Sequence, residues 1–368
     1  MTSTPHTGTH VDAVKEAAAA LDRGGLAILR TETVYGVFAR GDNPEAIDRI
    51  RALPRLEAAG PWGLLAWHAG AAAAVLDALD RAGVEPSPTY RRVINRAWPG
   101  PVTLRLRTPR AADIAAAGGL HPGVANDADR LSVRVPDDTW AQMTLQRVGG
   151  PVVASSAEAL DLSPPARPGQ CPPAVDGVDF IHDAGATRLA RHSTVVDLAD
   201  DGSWTVASEG ALTGDQVRDR LATVVLFVCT GNTCRSPMAE AIARGILESR
   251  GRGQHAIVLS AGVSAVDGAT ATPEAVRAVE AVGGDLTTHR SQPLTDRLVE
   301  RADAVFAMTE SHLETARSLT PPAQQHKLVR LDADADTPDP IGGPQKLYDQ
   351  LARRLSDVIR RRLEELDL

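Results

Sequence analysis

At 368 residues the chain exceeds what one hydrophobic core usually serves, so two domains of ordinary size are expected. Apolar content of 43% with 23% charged residues is a globular composition, and no apolar run approaches the ~18 residues of a membrane-spanning helix. The net charge of -8 divides into 17 basic against 20 acidic residues from Ala222 onward, and 22 against 27 before it. Neither part therefore has the cationic excess of non-specific nucleic-acid binding. Met1 to His10 lacks the basic start and apolar stretch of a secretory signal, and three cysteines make no disulfide framework. Both features point to the reducing cytoplasm, with each thiol open to chemistry.

In the first part, Gly24 to Gly36 reads Gly-Gly-Leu-Ala-Ile-Leu-Arg-Thr-Glu-Thr-Val-Tyr-Gly. Four more segments follow: Trp98-Pro99-Gly100-Pro101-Val102-Thr103-Leu104, Ser132-Val133-Arg134-Val135-Pro136, Pro151 to Ala157, and Ser193-Thr194-Val195-Val196-Asp197. The five in this order, over about Val11 to Leu212, resemble the YrdC-like threonylcarbamoyl-AMP synthase family. That resemblance implies a twisted α/β sheet around a large cavity and, in an active member, the joining of ATP, bicarbonate and threonine for a tRNA modification.

The family's active-site pattern is eroded here. Its Lys-x-Arg pair after the first motif has Arg51 and Leu53 as nearest equivalents, and Lys15, the one lysine of this part, precedes the motif. Glu158 stands at the usual Asn of a Ser-Ala-Asn triplet, where negative charge would repel a nucleotide's phosphates. The arginine expected shortly before Gly210 is missing. Thr31, Thr33, Arg134, Ser155, Ser156, Ser193 and Thr194 remain as a candidate ligand-contacting set; the plainer reading makes them turn and strand-end groups of a packed fold. The expectation is a catalytically degenerate YrdC-like domain. Two alternatives stay open: a domain that still uses ATP to make threonylcarbamoyl-AMP, and a nucleotide or RNA sensor that regulates its neighbour.

All five tryptophans (Trp62, Trp67, Trp98, Trp140, Trp204) lie in this part, and a polar stretch, Thr213 to Arg220, precedes a fresh apolar run. The boundary is expected near Leu221, giving domains 1–220 and 221–368. Thr223 to Val228 reads as a buried strand, six residues rich in β-branched and aromatic types before a Gly-Asn turn signal. Pro237 suits a first helical position, with Met238, Ala239, Ile242, Ile246 and Leu247 on one apolar face. Strand-like Ala256 to Leu259, a helix near Pro273 to Val282, strand-like Ala304 to Met308 and a helix from about Gln345 follow. That last helix is expected to bury Leu347, Leu351, Leu355, Val358 and Ile359. Strands alternating with helices imply a central parallel sheet flanked by helices, with ligands at the carboxyl ends of the strands.

The Cys229 loop lies at such an end. Cys229-Thr230-Gly231-Asn232-Thr233-Cys234-Arg235-Ser236 spaces a cysteine and an arginine by five residues between a strand and a helix. A loop of that length can curl its N–H groups around one anion while the helix adds its positive dipole end. The same field favours a negatively charged sulfur, so Cys229 can attack phosphorus. Arg235 can hold two phosphoryl oxygens with its planar fork, and Ser236 can hydrogen-bond the sulfur. Gly231 and Asn232 tolerate the left-handed backbone of a tight loop. One carboxylate could protonate the leaving group and then activate water. Asp339 in Pro338-Asp339-Pro340-Ile341-Gly342-Gly343 is a candidate, and spacing alone does not choose it over Asp332, Asp334 and Asp336. Cys234 either packs the loop or forms a reversible disulfide with Cys229.

These residues resemble the low-molecular-weight protein tyrosine phosphatase family over Thr223 to Leu368. Its signature is a Cys-x-Gly-Asn-x-Cys-Arg-Ser loop with an Asp-Pro general acid near the C-terminus. The resemblance implies Cys229 as nucleophile, Arg235 as phosphate clamp and Asp339 as acid and base, with phosphorylated proteins as substrates and neither cofactor nor metal. Ser260-Ala261-Gly262 matches a further family segment.

A phosphotyrosine site usually needs flat apolar walls. The second part has only Phe227, Phe306 and Tyr348, of which Tyr348 alone is expected near the site. Ile341 and Gly342 stand where tyrosine phosphatases of the family carry an aromatic pair, and Thr233 where they carry a larger aliphatic residue. The Thr-Cys-Arg-Ser-Pro-Met-Ala-Glu run and Asp-Pro-x-Gly-Gly resemble the bacterial protein-arginine phosphatase branch. Thr233 could accept a hydrogen bond from a guanidinium and Asp339 could pair with one, so phosphoarginine is the leading substrate and phosphotyrosine the alternative. Arsenate reduction would need resolving cysteines downstream, and none follows Cys234.

Overall fold

The computed structural model describes residues 2–3, 9–53, 64–66, 71–121, 124, 129–157, 160, 170–172 and 175–368. Trp62, Trp67 and Glu158 lie outside these. The chain divides into two compact units, Met1–Leu221 and Ala222–Leu368. Among the described residues, no helix is long and apolar enough to cross a membrane.

The first unit is built on a nine-stranded mixed sheet. Across it the strands run Trp204–Ser208, Thr194–Ala199, Val102–Arg107, Arg130–Arg134, Leu64–Ala66, Val152–Ser156, Tyr35–Arg40, Ala27–Arg30 and Phe180–Ile181. Ala27–Arg30 and Tyr35–Arg40 pair as a hairpin in which Arg30 faces Tyr35, leaving Thr31 to Val34 as its loop. On one face the helix His10–Asp22 contributes Ala17, Ala18 and Leu21 to a core with Leu29, Phe38 and Ala154. The polar Thr213 to Arg220 stretch is mostly helix: Gly214–Leu221 buries only Val217 and Leu221, so its composition is that of an exposed face.

The second unit is a four-stranded, all-parallel sheet in the order Ala256–Gly262, Thr223–Cys229, Ala304–Ala307, Leu328–Arg330. The first strand in sequence lies between the second and third, so its carboxyl end is the topological switch point where parallel α/β sheets open a crevice. Cys229 is its last residue. All seven residues of Thr223–Cys229 are buried, as expected of a strand covered on both faces. Val225, Phe227 and Cys229 enter one core, with the helices Arg235–Ser249 and Gln345–Glu364; Val224, Leu226 and Val228 enter another, with Val299 and Leu313. Phe227 and Phe306, on neighbouring strands, stack with ring centroids 5.7 Å apart.

Element types follow the sequence expectation, and several limits shift. The first two strands in sequence run through Cys229 and Gly262, the third strand ends at Ala307, and the helix from Pro273 ends at Glu280. The helix after the cysteine loop begins at Arg235, so Pro237 occupies its third position instead of its first. Proline fits there because the early N–H groups of a helix have no intrahelical acceptor. Leu347 is 46% exposed, whereas Leu351, Leu355, Val358 and Ile359 are buried. It lies in the first turn, where Tyr348 takes the core position instead. Leu351→Ala should therefore lower the unfolding free energy of this unit by about 2–5 kcal/mol, and Leu347→Ala by less than about 0.5 kcal/mol. Urea denaturation followed by far-UV circular dichroism measures both, and equal losses would contradict this packing.

Candidate active site

The loop from Thr230 to Cys234 turns around Asn232, which is fully buried and has φ +54°. Asparagine is among the few residues that accept this left-handed region at low cost. Each of its polar groups has a partner. Its N–H donates to Cys229 Sγ at 3.3 Å, and its carbonyl accepts from His289 Nε2 at 2.8 Å. Its Oδ1 accepts the Gln292 N–H at 2.9 Å, while Nδ2 donates to Ser236 Oγ at 2.9 Å and Ser260 Oγ at 2.8 Å. The Gln292 contact fixes the amide's orientation, since a backbone N–H can only donate.

That orientation propagates. Ser260 Oγ accepts from Asn232, and its own hydrogen goes to Glu240 Oε2 at 2.5 Å; Glu240 also pairs with Arg244. Ser236 Oγ accepts from Asn232 too, which leaves its hydrogen for Cys229 Sγ at 2.9 Å or the Ala261 carbonyl at 3.3 Å. The Asn232 N–H thus donates to the sulfur, and the Ser236 hydroxyl lies within reach of it as a donor whenever the sulfur is a thiolate. The neighbouring strand approaches closely: a Cβ on Gly262 would sit 2.5 Å from Thr230 O and 2.9 Å from Asn232 N. This close approach is the physical content of the Ser260-Ala261-Gly262 segment.

Arg235 is buried and makes three contacts. Nη1 donates to Thr337 O at 3.3 Å; Nη2 donates to Thr230 Oγ1 at 3.2 Å and to Asp339 Oδ2 at 2.5 Å. Asp339, 42% exposed at its side chain, is held by the Ile341 N–H on Oδ1 at 3.2 Å, between two prolines. Its loop is tied to the sheet by the Thr337 N–H bond to Met308 O at 2.7 Å. Of the four aspartates that spacing left equivalent, Asp339 is the one paired with Arg235. Asp332 pairs with Arg354 at 2.6 Å, which holds its carboxyl below the usual range, and Asp336 pairs with Arg330 at 3.3 Å. The Asp334 N–H bonds Asp332 Oδ1.

Cys234 is buried, with Tyr348 Oη at 3.8 Å, Thr272 Oγ1 at 3.6 Å and Thr233 Oγ1 at 3.8 Å from its sulfur. Tyr348 is therefore a core residue behind the loop, 1% exposed, and no wall for a substrate ring. Phe227 and Phe306 are buried as well, which places all three aromatics of this unit in the core. All three thiols of the chain are free, and burial, with Asp183 nearby, pushes Cys171 up to about 12, which leaves it a poor nucleophile. Sequence reasoning missed His289, Gln292, Thr337 and His312, whose contacts to the loop or to Arg235 are all long-range.

The candidates of the first unit are largely engaged with neighbouring protein groups. Thr31 Oγ1 lies 2.9 Å from Thr33 Oγ1 and donates to Val34 O at 2.6 Å, closing the hairpin loop. Arg134 pairs with Glu32 at 2.7 Å, both side chains being at most 5% exposed, and Glu32 also accepts the Asp137 N–H at 2.9 Å. Ser193 Oγ lies 2.8 Å from Thr103 Oγ1, and Thr194 Oγ1 bridges Gly210 and Leu212. Ser155 and Ser156 pair with Val37 and Gly36 in the sheet. Leu53 is core, and Lys15 bonds Asp12. Among the described residues, no group of three or more His, Cys, Asp or Glu side chains could hold a metal ion.

A cysteine cradle at the switch point of a parallel sheet, with an arginine opening the next helix, defines a cysteine-based phosphatase joined to a separate mixed α/β domain. A family model described as low molecular weight phosphotyrosine protein phosphatase matches residues 224–367, and the Sua5/YciO/YrdC model, described as telomere recombination, matches residues 19–210. The chain belongs to both families, one in each domain. It is 40% identical over 147 residues to a protein-arginine-phosphatase of Bacillus subtilis, spanning 39% of this chain and 95% of that protein. A low molecular weight protein-tyrosine-phosphatase of Streptomyces coelicolor is 36% identical over 138 residues, 34% of this chain and 82% of its own length. A threonylcarbamoyl-AMP synthase of Chromohalobacter salexigens is 30% identical over 204 residues, 51% of this chain and 93% of its own.

The buried Glu32–Arg134 pair yields a test of the first domain. Arg134→Met leaves Glu32 buried without its partner, and should destabilise that domain by about 3–5 kcal/mol. Tryptophan fluorescence during urea denaturation reports this domain selectively, because all five tryptophans lie in it. A loss below about 1 kcal/mol would mean the pair is dispensable.

Proposed function

We propose that the second domain dephosphorylates proteins through a phosphocysteine on Cys229, with phosphoarginine as its substrate. The observation that carries the mechanism is the convergence of the Asn232 N–H and the Ser236 hydroxyl on Cys229 Sγ, with Arg235 opening the next helix. Cys229 Sγ attacks phosphorus, the bond from phosphorus to the leaving nitrogen breaks, and the Asp339 carboxylic acid gives that nitrogen its proton. Arg235 follows the charge on the phosphoryl oxygens into the transition state. The Asp339 carboxylate then takes a proton from water as it attacks the phosphocysteine, and phosphate leaves with the thiolate restored. Asp339 must part from Arg235 to serve the leaving group, and the exposure of its side chain is consistent with that movement.

Three features support phosphoarginine. The aromatics of the domain are all in its core, so none forms a flat wall for a phenyl ring. Thr233, half-buried in the loop, offers a hydroxyl to a guanidinium, and Asp339 already accepts from one in Arg235. The relative of 40% identity is named a protein-arginine-phosphatase. Phosphotyrosine is the second reading, favoured by the Streptomyces relative. The three free thiols suit a reducing compartment, and this reading puts the protein in the cytoplasm.

In the same proposal the first domain does not make threonylcarbamoyl-AMP. Its one lysine lies on the helix before the first motif and bonds Asp12, Leu53 is buried in the core, and the charge of Arg134 is matched by Glu32. None of these three positions offers an unmatched cation to a triphosphate. A role as nucleotide or RNA sensor would need ligand contacts beyond these hydroxyls.

The decisive experiment assays the purified chain against phosphoarginine and phosphotyrosine peptides, with pyrophosphate release from ATP, bicarbonate and threonine measured in parallel. Phosphoarginine turnover without pyrophosphate is expected. Thr233→Ile removes the acceptor and adds apolar contact, so it should shift the kcat/KM ratio towards phosphotyrosine by at least about tenfold, or ~1.4 kcal/mol of differential transition-state binding. An unmoved ratio, or a wild type that prefers phosphotyrosine, would return the domain to tyrosine phosphatase chemistry.

A further inference from the structure

Arg235 has one partner that must leave during the reaction and two that can stay. Asp339 is needed at the leaving group, whereas Thr337 O and Thr230 Oγ1 remain against the guanidinium. Thr230 is itself backed by a residue with no place in the mechanism above. His312 Nε2 lies 2.9 Å from Thr230 Oγ1, and its Nδ1 lies 2.8 Å from Thr309 Oγ1. His312 is 5% exposed, on the helix Glu310–Ser318 that Thr309 caps.

The donors and acceptors in this chain can be ordered. A guanidinium only donates, so Thr230 Oγ1 must accept from Arg235. The single hydrogen of Thr230 is then free for His312 Nε2, which accepts only when the ring is neutral and carries its hydrogen on Nδ1, facing Thr309. We propose that His312 is a positioning residue for the phosphate clamp: it takes the Thr230 hydroxyl hydrogen at Nε2 and so turns a Thr230 lone pair to Arg235. One Nη2 hydrogen stays on Thr230, and the other, released by Asp339, meets the phosphoryl group. The inference rests on Arg235 being the clamp.

The electrostatic surroundings agree. Burial and then the Arg235 charge lower the affinity of His312 for a proton below that of an ordinary histidine, while Asp339 and Asp336 oppose this less strongly. The ring is accordingly neutral at pH 7. As pH falls through its depressed pKa it gains a hydrogen on Nε2 and a charge near Arg235, and the Thr230 hydrogen loses its acceptor.

The test compares two variants. Glutamine can present an oxygen near the place of Nε2 and does not titrate; leucine presents no acceptor. His312→Leu should lower kcat by about tenfold and weaken inhibition by vanadate, whereas His312→Gln should stay within about threefold of wild type at pH 7. Below the ordinary histidine range, kcat/KM of His312→Gln relative to wild type should rise as pH falls. The rest of the site is common to both proteins, so the ratio reads the change at position 312. A flat ratio, or wild-type kinetics and vanadate inhibition in His312→Leu, would overturn the proposal. Thr230→Val provides a second route if His312→Leu does not fold: it should reproduce the loss, and adding His312→Gln to it should then flatten nothing further in the pH profile beyond Thr230→Val alone. A further pH-dependent change in that double variant counts against the Thr230 link. Arg235→Ala separates the two claims, because its wild-type turnover would sink the clamp reading itself, whereas an inactive Arg235→Ala beside an unaffected His312→Leu sinks only the role of His312.

Discussion

The phosphatase site depends on one buried residue that is not a reacting group. Asn232 holds the loop in a left-handed turn and commits every hydrogen-bonding group it has, to the sulfur, to Ser236 and Ser260, and to His289 and Gln292. A buried polar side chain is costly unless satisfied, and when fully satisfied it specifies a single arrangement. Here the arrangement sets the Asn232 N–H and the Ser236 hydroxyl against Cys229. The Ser260–Glu240 bond supplies the direction, and the bare Cα of Gly262 supplies the room.

A second constraint acts on the other half of the cradle. Arg235 is shared between Asp339, whose side chain is partly exposed, and two further acceptors, Thr337 O and Thr230 Oγ1. The candidate reacting groups therefore come from three separate segments: a strand end, a helix start and the loop before the terminal helix. The parallel topology brings them together because all of these strands end on one side of the sheet. In the first domain the corresponding satisfied pair is Glu32 with Arg134, each buried and engaged with the other.

Much of this was legible in the sequence where the signal is local. The cysteine and arginine with five residues between them, the buried strand read over Thr223 to Val228 and the apolar face of the terminal helix are short-range patterns, and the structure has them, the strand running one residue further to Cys229. Leu347 fits the helical period but sits in an exposed first turn, because period alone cannot say where along a helix the core begins. Spacing alone left Asp339 among four aspartates and only the family resemblance chose it; in the structure it is the one of the four paired with Arg235, 104 residues away. His289 and His312 gave no signal. Their contacts to the loop span 57 and 82 residues, and a lone histidine in a sequence carries no mark of such partners. Thr31, Thr194 and Arg134 were legible as candidates; their engagement with Thr33, Leu212 and Glu32 was not, since hydroxyl and guanidinium groups look alike in sequence whether they face a ligand or a neighbour.

The central claim is that Cys229 carries the phosphoryl group between substrate and water. The direct measurement mixes the Asp339→Asn variant, in which hydrolysis of the intermediate is slowed, with a phosphoarginine protein, quenches the reaction and locates the phosphate by mass spectrometry of the digested chain. The account predicts phosphate on the peptide bearing Cys229, and none there when Cys229 is also changed to alanine, which leaves no nucleophile at that position. Phosphate on a different residue, or wild-type turnover by a Cys229→Ser chain, would contradict it.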